Sequence, residues 1–254
     1  MWNIQNTDLG LNVRKNLSPG EELIPISSTA TGRSINTEST FWELQGIRTY
    51  FATAQTLYLS STSVLDTTQP ILVEGLDGDY NAITGIATLG GQNQIEIKDF
   101  TGGALTFLRV GNAPINVIGA NNLNGDVYIA SSGALTGGVP DTFSTIQGFI
   151  KQDHNIGRAS FFTVPAGKTA YLTHSSFSTR KNDEVIIEFI ARTENGIILK
   201  PQTINLYQNF TPTPLGYITF VEKTDFEIRL LPQNNNSAVS WVGEFKVIDN
   251  TLIK

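Results

Sequence analysis

A chain of 254 residues with a formal charge of −6, 16% charged residues and no cysteine cannot hold disulfides, thiolate zinc sites, iron–sulfur clusters or a cysteine nucleophile. The acidic balance, with no basic run longer than the pairs Arg14-Lys15 and Arg180-Lys181, argues against a nucleic-acid partner. No stretch approaches the roughly 20 apolar residues that span a bilayer, and the start at Met1-Trp2-Asn3 lacks a signal-peptide pattern, so neither a membrane partner nor export is expected.

Thr, Ser, Asn, Gln and Gly stand where Glu, Lys and Arg would be in a helical surface, and 40% of the residues are hydrophobic. That exchange favours strands and turns over long exposed helices. The expected fold is all-β, built as two tandem antiparallel β-sandwich, jelly-roll-like domains with an extended N-terminal segment.

In chain order, residues 1–45 read as an arm or docking segment, with an ordinary edge strand and loop the equal alternative over 1–40, because isolated hydrophobes are broken by Ser18-Pro19-Gly20 and Thr31-Gly32. The first sandwich is placed at residues 46–140. Ile47–Phe51 and Gln55–Leu59 alternate as strands do, and Ile71–Leu76 meets Asp77-Gly78, a hairpin signal, with Tyr80–Leu89 beyond it. Further strands are expected near 94–98, 104–110, 115–119 and 126–130, with Asn124-Gly125 turning between the last two. Residues 131–145 read as a loop or linker, with a weak helical signal near 143–150. The second sandwich is placed at residues 156–254. There Pro165 and Gly167 set a turn, Thr169–Ser178 follows, and VIIEFIAR (Val185–Arg192) is closed by Glu194-Asn195-Gly196 before Ile197–Lys200. Around residues 226–230 and 239–247, apolar and polar residues alternate, as in strands with one buried and one wet face. Turn signals recur throughout at sandwich-like spacing.

Chemistry is sparse. With two histidines, His154 and His174, a three-histidine metal site is impossible within one chain. His154 reads as a solvated loop residue. His174, beside Ser175 and Ser176, has no GxSxG elbow to support a hydrolase. Asp77, Asp79 and Asn81 mimic a calcium loop but are followed by Ala82 where the loop needs Gly and by Thr88 where it needs Glu, so the segment reads as a turn with Asx hydrogen bonds. The pairs Gly90-Gly91, Gly102-Gly103 and Gly137-Gly138 lack the Lys-Ser/Thr of a phosphate loop. The carboxylate pairs Asp183-Glu184 and Asp225/Glu227 could flank a glycosidic bond but read as solvated neighbours in turns. Trp42, Tyr50, Tyr58, Tyr80, Tyr207 and Tyr217 are candidate sugar-stacking aromatics by type alone. The sequons at Asn16, Asn209 and Asn235 read as chance matches. No catalytic residue, cofactor or metal site is assigned.

The run FTVPAGKTAYLT (Phe162–Thr173), the later IEFIAR (Ile187–Arg192), the terminal EFKVID (Glu244–Asp249) and, earlier, VEGLDGDYN (Val73–Asn81) with Ile86–Leu89 together resemble virion-associated proteins of marine and other tailed bacteriophages. Their order along about two-thirds of the chain carries the resemblance. It implies a non-enzymatic, β-rich structural component of head, neck or tail, such as a capsid decoration (cement) protein, with no catalytic residues to transfer. Its partners would be other virion subunits and copies of itself, and its location the virion, assembled in the host cytoplasm. A fibre or spike module that binds a host-surface glycan is the alternative, and a glycan-degrading enzyme a third reading.

Overall fold

The computed structural model describes residues 19–111, 115–119, 122–157, 160–180, 183–207 and 218–253. Among them the fold is all-β and antiparallel, with two short 3-10 turns and no α-helix. The chain opens with β1 (Glu21–Arg33) and β2 (Ser39–Thr40). Then come β3 (Leu57–Ser61), β4 (Pro70–Leu76), β5 (Ala82–Thr88), β6 (Ile95–Glu96), β7 (Arg109–Val110), β8 (Ile115–Val117) and β9 (Val127–Ser131). A small hairpin of β10 (Leu135–Thr136) and β11 (Val139–Pro140) precedes β12 (Ile146–Ile150) and β13 (Ile156–Gly157). The last part holds β14 (Phe161–Thr163), β15 (Lys168–Thr179), β16 (Val185–Arg192), β17 (Ile198–Leu206), β18 (Ile218–Phe220), β19 (Asp225–Pro232) and β20 (Ser237–Asp249).

Four larger sheets result. Two, ordered β12-β9-β3-β6 and β13-β8-β4-β5 with β7 against β4, turn their apolar sides toward each other. Leu57, Leu59, Val127 and Ile129 of one meet Ile71, Val73, Ile115 and Val117 of the other in a single core. The other two, ordered β1-β20-β15-β18 and β14-β19-β16-β17 with β2 against β19, close a second core. It is rich in aromatics: Phe177, Trp241 and Phe245 from one sheet face Phe162, Phe189 and Phe226 from the other, with Phe162 stacked on Phe245 at 4.9 Å. Edge-to-face and offset contacts of this kind add to the area these rings bury.

Strict alternation makes β20 the clearest strand. Ser237, Val239, Trp241, Gly243, Phe245 and Val247 point inward, and their neighbours point out. Gly243 is required because a β-carbon there would lie 2.2 Å from the Trp241 indole, which folds back over it on the same face. The indole N–H then reaches Ser175 Oγ at 2.8 Å.

The strands depart from the expected partition. Residues 21–40 take the edge-strand alternative over the arm: β1 pairs with β20 from Glu21↔Ile248 to Arg33↔Ser237 and puts Ile24, Ile26 and Ala30 into the second core. Its inward row includes Ser28 and Ala30, which dilutes the hydrophobic alternation that would reveal it. Residues 1–18, including Asn16 and the pair Arg14-Lys15, lie outside the described residues. β12, expected in a linker or a helix, is a wholly buried strand of the first sheet pair, and β13 pairs with β8 rather than opening the second body. The chain therefore begins in the second sheet pair, crosses to the first, and returns.

Other expectations shift in detail. Ile47–Phe51 forms no strand; it is a connector with Ile47 exposed and Arg48 buried, the reverse of what hydropathy suggests. Asp77-Gly78 does open a hairpin between β4 and β5, but the turn runs from Asp77 to Asn81, and Tyr80, at φ 66°, takes the left-handed site. Asn124-Gly125 does not join paired strands: β8 pairs with β4 and β13, β9 with β3 and β12, so the chain changes sheets there. The turn at Pro165–Lys168 is as expected, with Gly167 at φ 72°. So is the hairpin from β16 to β17 through Gly196, at φ 75°.

Two outer strands carry prolines. Pro25 sits opposite Glu244 inside an unbroken stretch of the β1–β20 ladder, so its nitrogen must point to the outer edge of the sheet. Pro201 lies where the β16–β17 register shifts between Phe189↔Gln202 and Ala191↔Leu199. Both edges are thereby made poor templates for a further strand.

The Gly137-Gly138 turn of the small hairpin has both φ values positive, 58° and 85°, as a two-residue hairpin turn requires. A β-carbon on Gly138 would fall 1.8 Å from the Ser61 carbonyl oxygen, and the Gly138 carbonyl accepts a hydrogen bond from Ser60 Oγ at 2.8 Å. Gly138→Ala is expected to lower stability by roughly 2–4 kcal/mol through the left-handed backbone and the overlap together. Urea unfolding measures it, and a loss below about 0.5 kcal/mol would contradict the packing described.

Candidate functional site

The densest chemistry lies between the two cores and is buried. β19 brings Asp225, Glu227 and Arg229 to the face turned toward the first sheet pair, because residues two apart on a strand share a face. Asp225 accepts two hydrogen bonds from Arg109 of β7, Nε to Oδ1 at 2.7 Å and Nη2 to Oδ2 at 2.9 Å, and a third from Thr163 Oγ1 at 2.7 Å. Glu227 accepts from Thr40 Oγ1 at 2.5 Å and from Arg229 Nε at 3.2 Å, and Arg229 also reaches Glu38 at 3.0 Å. The Thr40 hydroxyl in turn accepts the Arg48 backbone N–H at 2.7 Å, tying the connector to the second body.

Arg48 spans the gap in the other direction. Its guanidinium donates to the Val110 carbonyl at 2.9 Å and to Gln147 Oε1 at 3.1 Å, and lies 3.7 Å from the centre of the Phe161 ring. Burial lowers its pKa from the ordinary arginine value, with the charge of Arg109 acting in the same direction. The Tyr50 ring sits among three guanidinium groups, those of Arg192 at 4.4 Å, Arg48 at 4.9 Å and Arg109 at 5.1 Å. Its phenol is pushed up from the ordinary range by burial first and by the charge of Glu227 next. Beside this group, Arg33 donates to the carbonyls of Trp42 and Leu44, fixing the start of the connector, and burial lowers its pKa to about 10.

This arrangement joins the two sheet pairs. Asp225 and Glu227 are buried strand residues, not solvated turn residues as the sequence suggested, and their oxygens are taken by arginines and hydroxyls. No substrate bond can lie between two carboxylates closed off in this way. The guanidinium–carboxylate fork fixes direction as well as distance, and so sets how the two sheet pairs meet. Trp42, Tyr128, Ile146, Phe149 and Phe161 add an apolar cluster to the same contact.

The remaining candidates are scattered. His174 is exposed on β15, while Ser175 points to the opposite face to accept the Trp241 N–H, so they form no catalytic pair. Asp77 Oδ1 accepts the backbone N–H groups of Asp79 and Asn81, both at 2.9 Å, the Asx arrangement expected of that turn. Asp183 accepts the Ala238 N–H at 3.0 Å. Trp42 and Tyr80 are buried, Tyr58 is half-buried and Tyr207 is exposed; Tyr217 and the sequon at Asn209 lie outside the described residues. Among the described residues no cluster of three His, Cys, Asp or Glu could hold a metal, and no helix is long and apolar enough to cross a membrane.

His154 is the loop residue expected, between β12 and β13 with its side chain 39% exposed. Its Nδ1 lies 3.5 Å from the Glu43 carboxylate, at the mouth of an open cleft of about 340 Å3 between β1, the 43–45 segment and the ends of β9 and β12. A smaller groove of about 180 Å3 separates β1 from the β4–β5 hairpin, where burial, and then the charge of Glu22, raises the pKa of Glu74. Sequence reasoning missed Arg48, Arg109 and Glu43 altogether. Asp225 and Glu227 were visible, but only as neighbours.

No family model matches this sequence, and no curated protein does. Among solved structures, the VP2 subviral particle of infectious bursal disease virus aligns over 91% of this chain and 72% of its own, at 8% identity and a TM-score of 0.22. The Gt strain of the same virus aligns over 92% and 73%, at 10% identity and a TM-score of 0.20. Backbones that superpose this poorly share no demonstrated fold, and nothing is carried from those particles to this chain.

Proposed function

We propose that this chain is a non-enzymatic structural component of a tailed-phage virion, a capsid decoration protein or a head-to-tail or tail component, with its two sheet pairs acting as jelly-roll-like sandwiches, the first inserted in the chain of the second. The observation that carries the reading is the tip of the β16–β17 hairpin. There Ile197, Ile198 and Leu199 stand 56%, 55% and 52% exposed, three adjacent apolar side chains beyond the reach of the core. Exposed apolar side chains gathered at one hairpin tip offer a contact surface on both faces of the strand. The edge prolines favour contact through side chains over strand addition. The buried arginine–carboxylate joint gives one rigid body to place between neighbours, which include other virion subunits and copies of itself.

The test is a mass-spectrometric count of this protein in purified particles against the major shell protein. Tens to hundreds of copies per particle are expected for capsid decoration, and a far smaller number for neck or tail. Complete absence from particles would overturn the reading.

A further inference from the structure

The cleft beside the joint is lined by both bodies; its polar walls stand apart from the joint, while Tyr128 and Phe149 at its base belong to the apolar cluster between the bodies. Small-molecule sites favour such boundaries, and about 340 Å3 falls at the low end of their usual size range, roughly 300–1,000 Å3. Its wall on the β1 side carries Thr29 and Thr31, which flank buried Ala30 and so share the outward face of the strand. Gln45 stands on the connecting segment between the bodies. Hydroxyl and amide groups both donate and accept hydrogen bonds. Across the cleft lie Asp126, which accepts the Gln152 N–H at 2.8 Å, and Lys151, while Glu43 is engaged by His154. The floor is the tilted pair of Tyr128 and Phe149, with ring centres 5.2 Å apart.

The chemistry narrows the ligand. An anion would face the carboxylates of Glu43 and Asp126. A metal ion would lack a three-ligand cluster among the described residues. A purely apolar molecule would cover charged groups without replacing their water. A sugar ring meets each demand, since its hydroxyls both donate and accept while its C–H face rests on aromatic carbon. We propose that this cleft binds a neutral pyranose unit, with Thr31 and Asp126 hydrogen-bonding its hydroxyls and Tyr128 and Phe149 under its apolar face. The proposal stands apart from the assembly reading: a particle subunit with or without this site gives the same copy number.

The experiment titrates the isotope-labelled full chain with glucose, galactose, mannose and N-acetylglucosamine in turn, following amide shifts, with inorganic phosphate and tetramethylammonium as probes of the competing ligand classes. At least one sugar is expected to give saturable shifts centred on residues 29–31, 45, 126 and 151, with a dissociation constant on the order of 1–10 mM. Asp126→Asn and, separately, Thr31→Val are each expected to weaken that binding about five- to tenfold while leaving the other amide positions unchanged. Thr31 is exposed, so its variant keeps the test valid should Asp126→Asn disturb the Gln152 turn. No saturable shift with any of the four sugars, shifts centred elsewhere, binding unaltered in both variants, or phosphate or tetramethylammonium filling the cleft in place of sugar would each overturn the proposal.

Discussion

Asp225→Ala is expected to cost about 3–5 kcal/mol in urea unfolding, the scale for breaking one partner of a buried ion pair. The loss follows from what stays behind. Arg109 would remain buried, its Nε and Nη2 stripped of their acceptors, 5.1 Å from the centre of the Tyr50 ring that Arg48 and Arg192 also approach. Thr163 Oγ1 would lose its acceptor as well. Replacing both partners, as Arg109→Met with Asp225→Leu, removes the charges together and is expected to recover most of the loss, because the pair offsets its own desolvation only in part. A single Asp225→Ala loss below about 1 kcal/mol would mean that the two bodies are held by their apolar contact, Trp42 with Tyr128, Phe149 and Phe161, and not by the fork.

Asp66→Ala is expected to cost roughly 3–4 kcal/mol, set by several buried donors at about 1–3 kcal/mol each with partial relaxation. The Asp66 carboxylate is fully buried. Its Oδ2 accepts from Ser61 Oγ at 2.6 Å and from the Gly125 N–H at 3.1 Å; its Oδ1 accepts from the backbone and side-chain N–H groups of Asn124 at 2.9 and 3.0 Å. The carboxylate thus holds the loop after β3 against the crossing between β8 and β9. Hydrogen exchange should show amides 62–68 and 122–126 losing protection together, ahead of the central strands. Asp66→Asn keeps one acceptor but turns an N–H2 toward other N–H donors, so it should recover little. Stability equal to that of the parent chain in either variant would show that the crossing is fixed by its apolar residues alone.

How much of this was legible in the sequence depends on what covers each strand. SAVSWVGEFKV read correctly because it has one face on the second core and a second face that looks polar, and VIIEFIAR because its β-branched run ends at an Asn-Gly turn. IQGFI (Ile146–Ile150) did not, since a strand buried on both faces has no alternation to show. The same cause hid the joint. In β19 the polar residues Asp225, Glu227 and Arg229 alternate with Phe226, Ile228 and Leu230 as though facing water, yet Asp225 and Glu227 are buried, the first of them by Arg109 of the first sheet pair. Nothing local to residue 225 signals a partner at Arg109, 116 positions earlier. The unusual company of that partner, a lone arginine next to valine in a short apolar stretch, is the one clue, and it identifies no mate. The cleft was legible only as separate residues, because Thr29, Gln45, Asp126 and His154 come together through the return of the chain between the two bodies.

The pairing of β1 with β20 has a consequence for synthesis. A ribosome makes Glu21–Arg33 about 200 residues ahead of its partner Ser237–Asp249. The first core closes with strands that end at Gly157, so it can form while β1 hangs unsatisfied beside it. A 13-residue strand waiting this long is exposed to capture by other nascent chains. Its composition suits the wait: Pro25, Ser27, Ser28 and Thr29 make EELIPISSTATGR a weak partner for copies of itself. Closure then comes late and over a long loop, which makes it slow, and a chain cut short before Ser237 would lack the strand that β1 and β15 share.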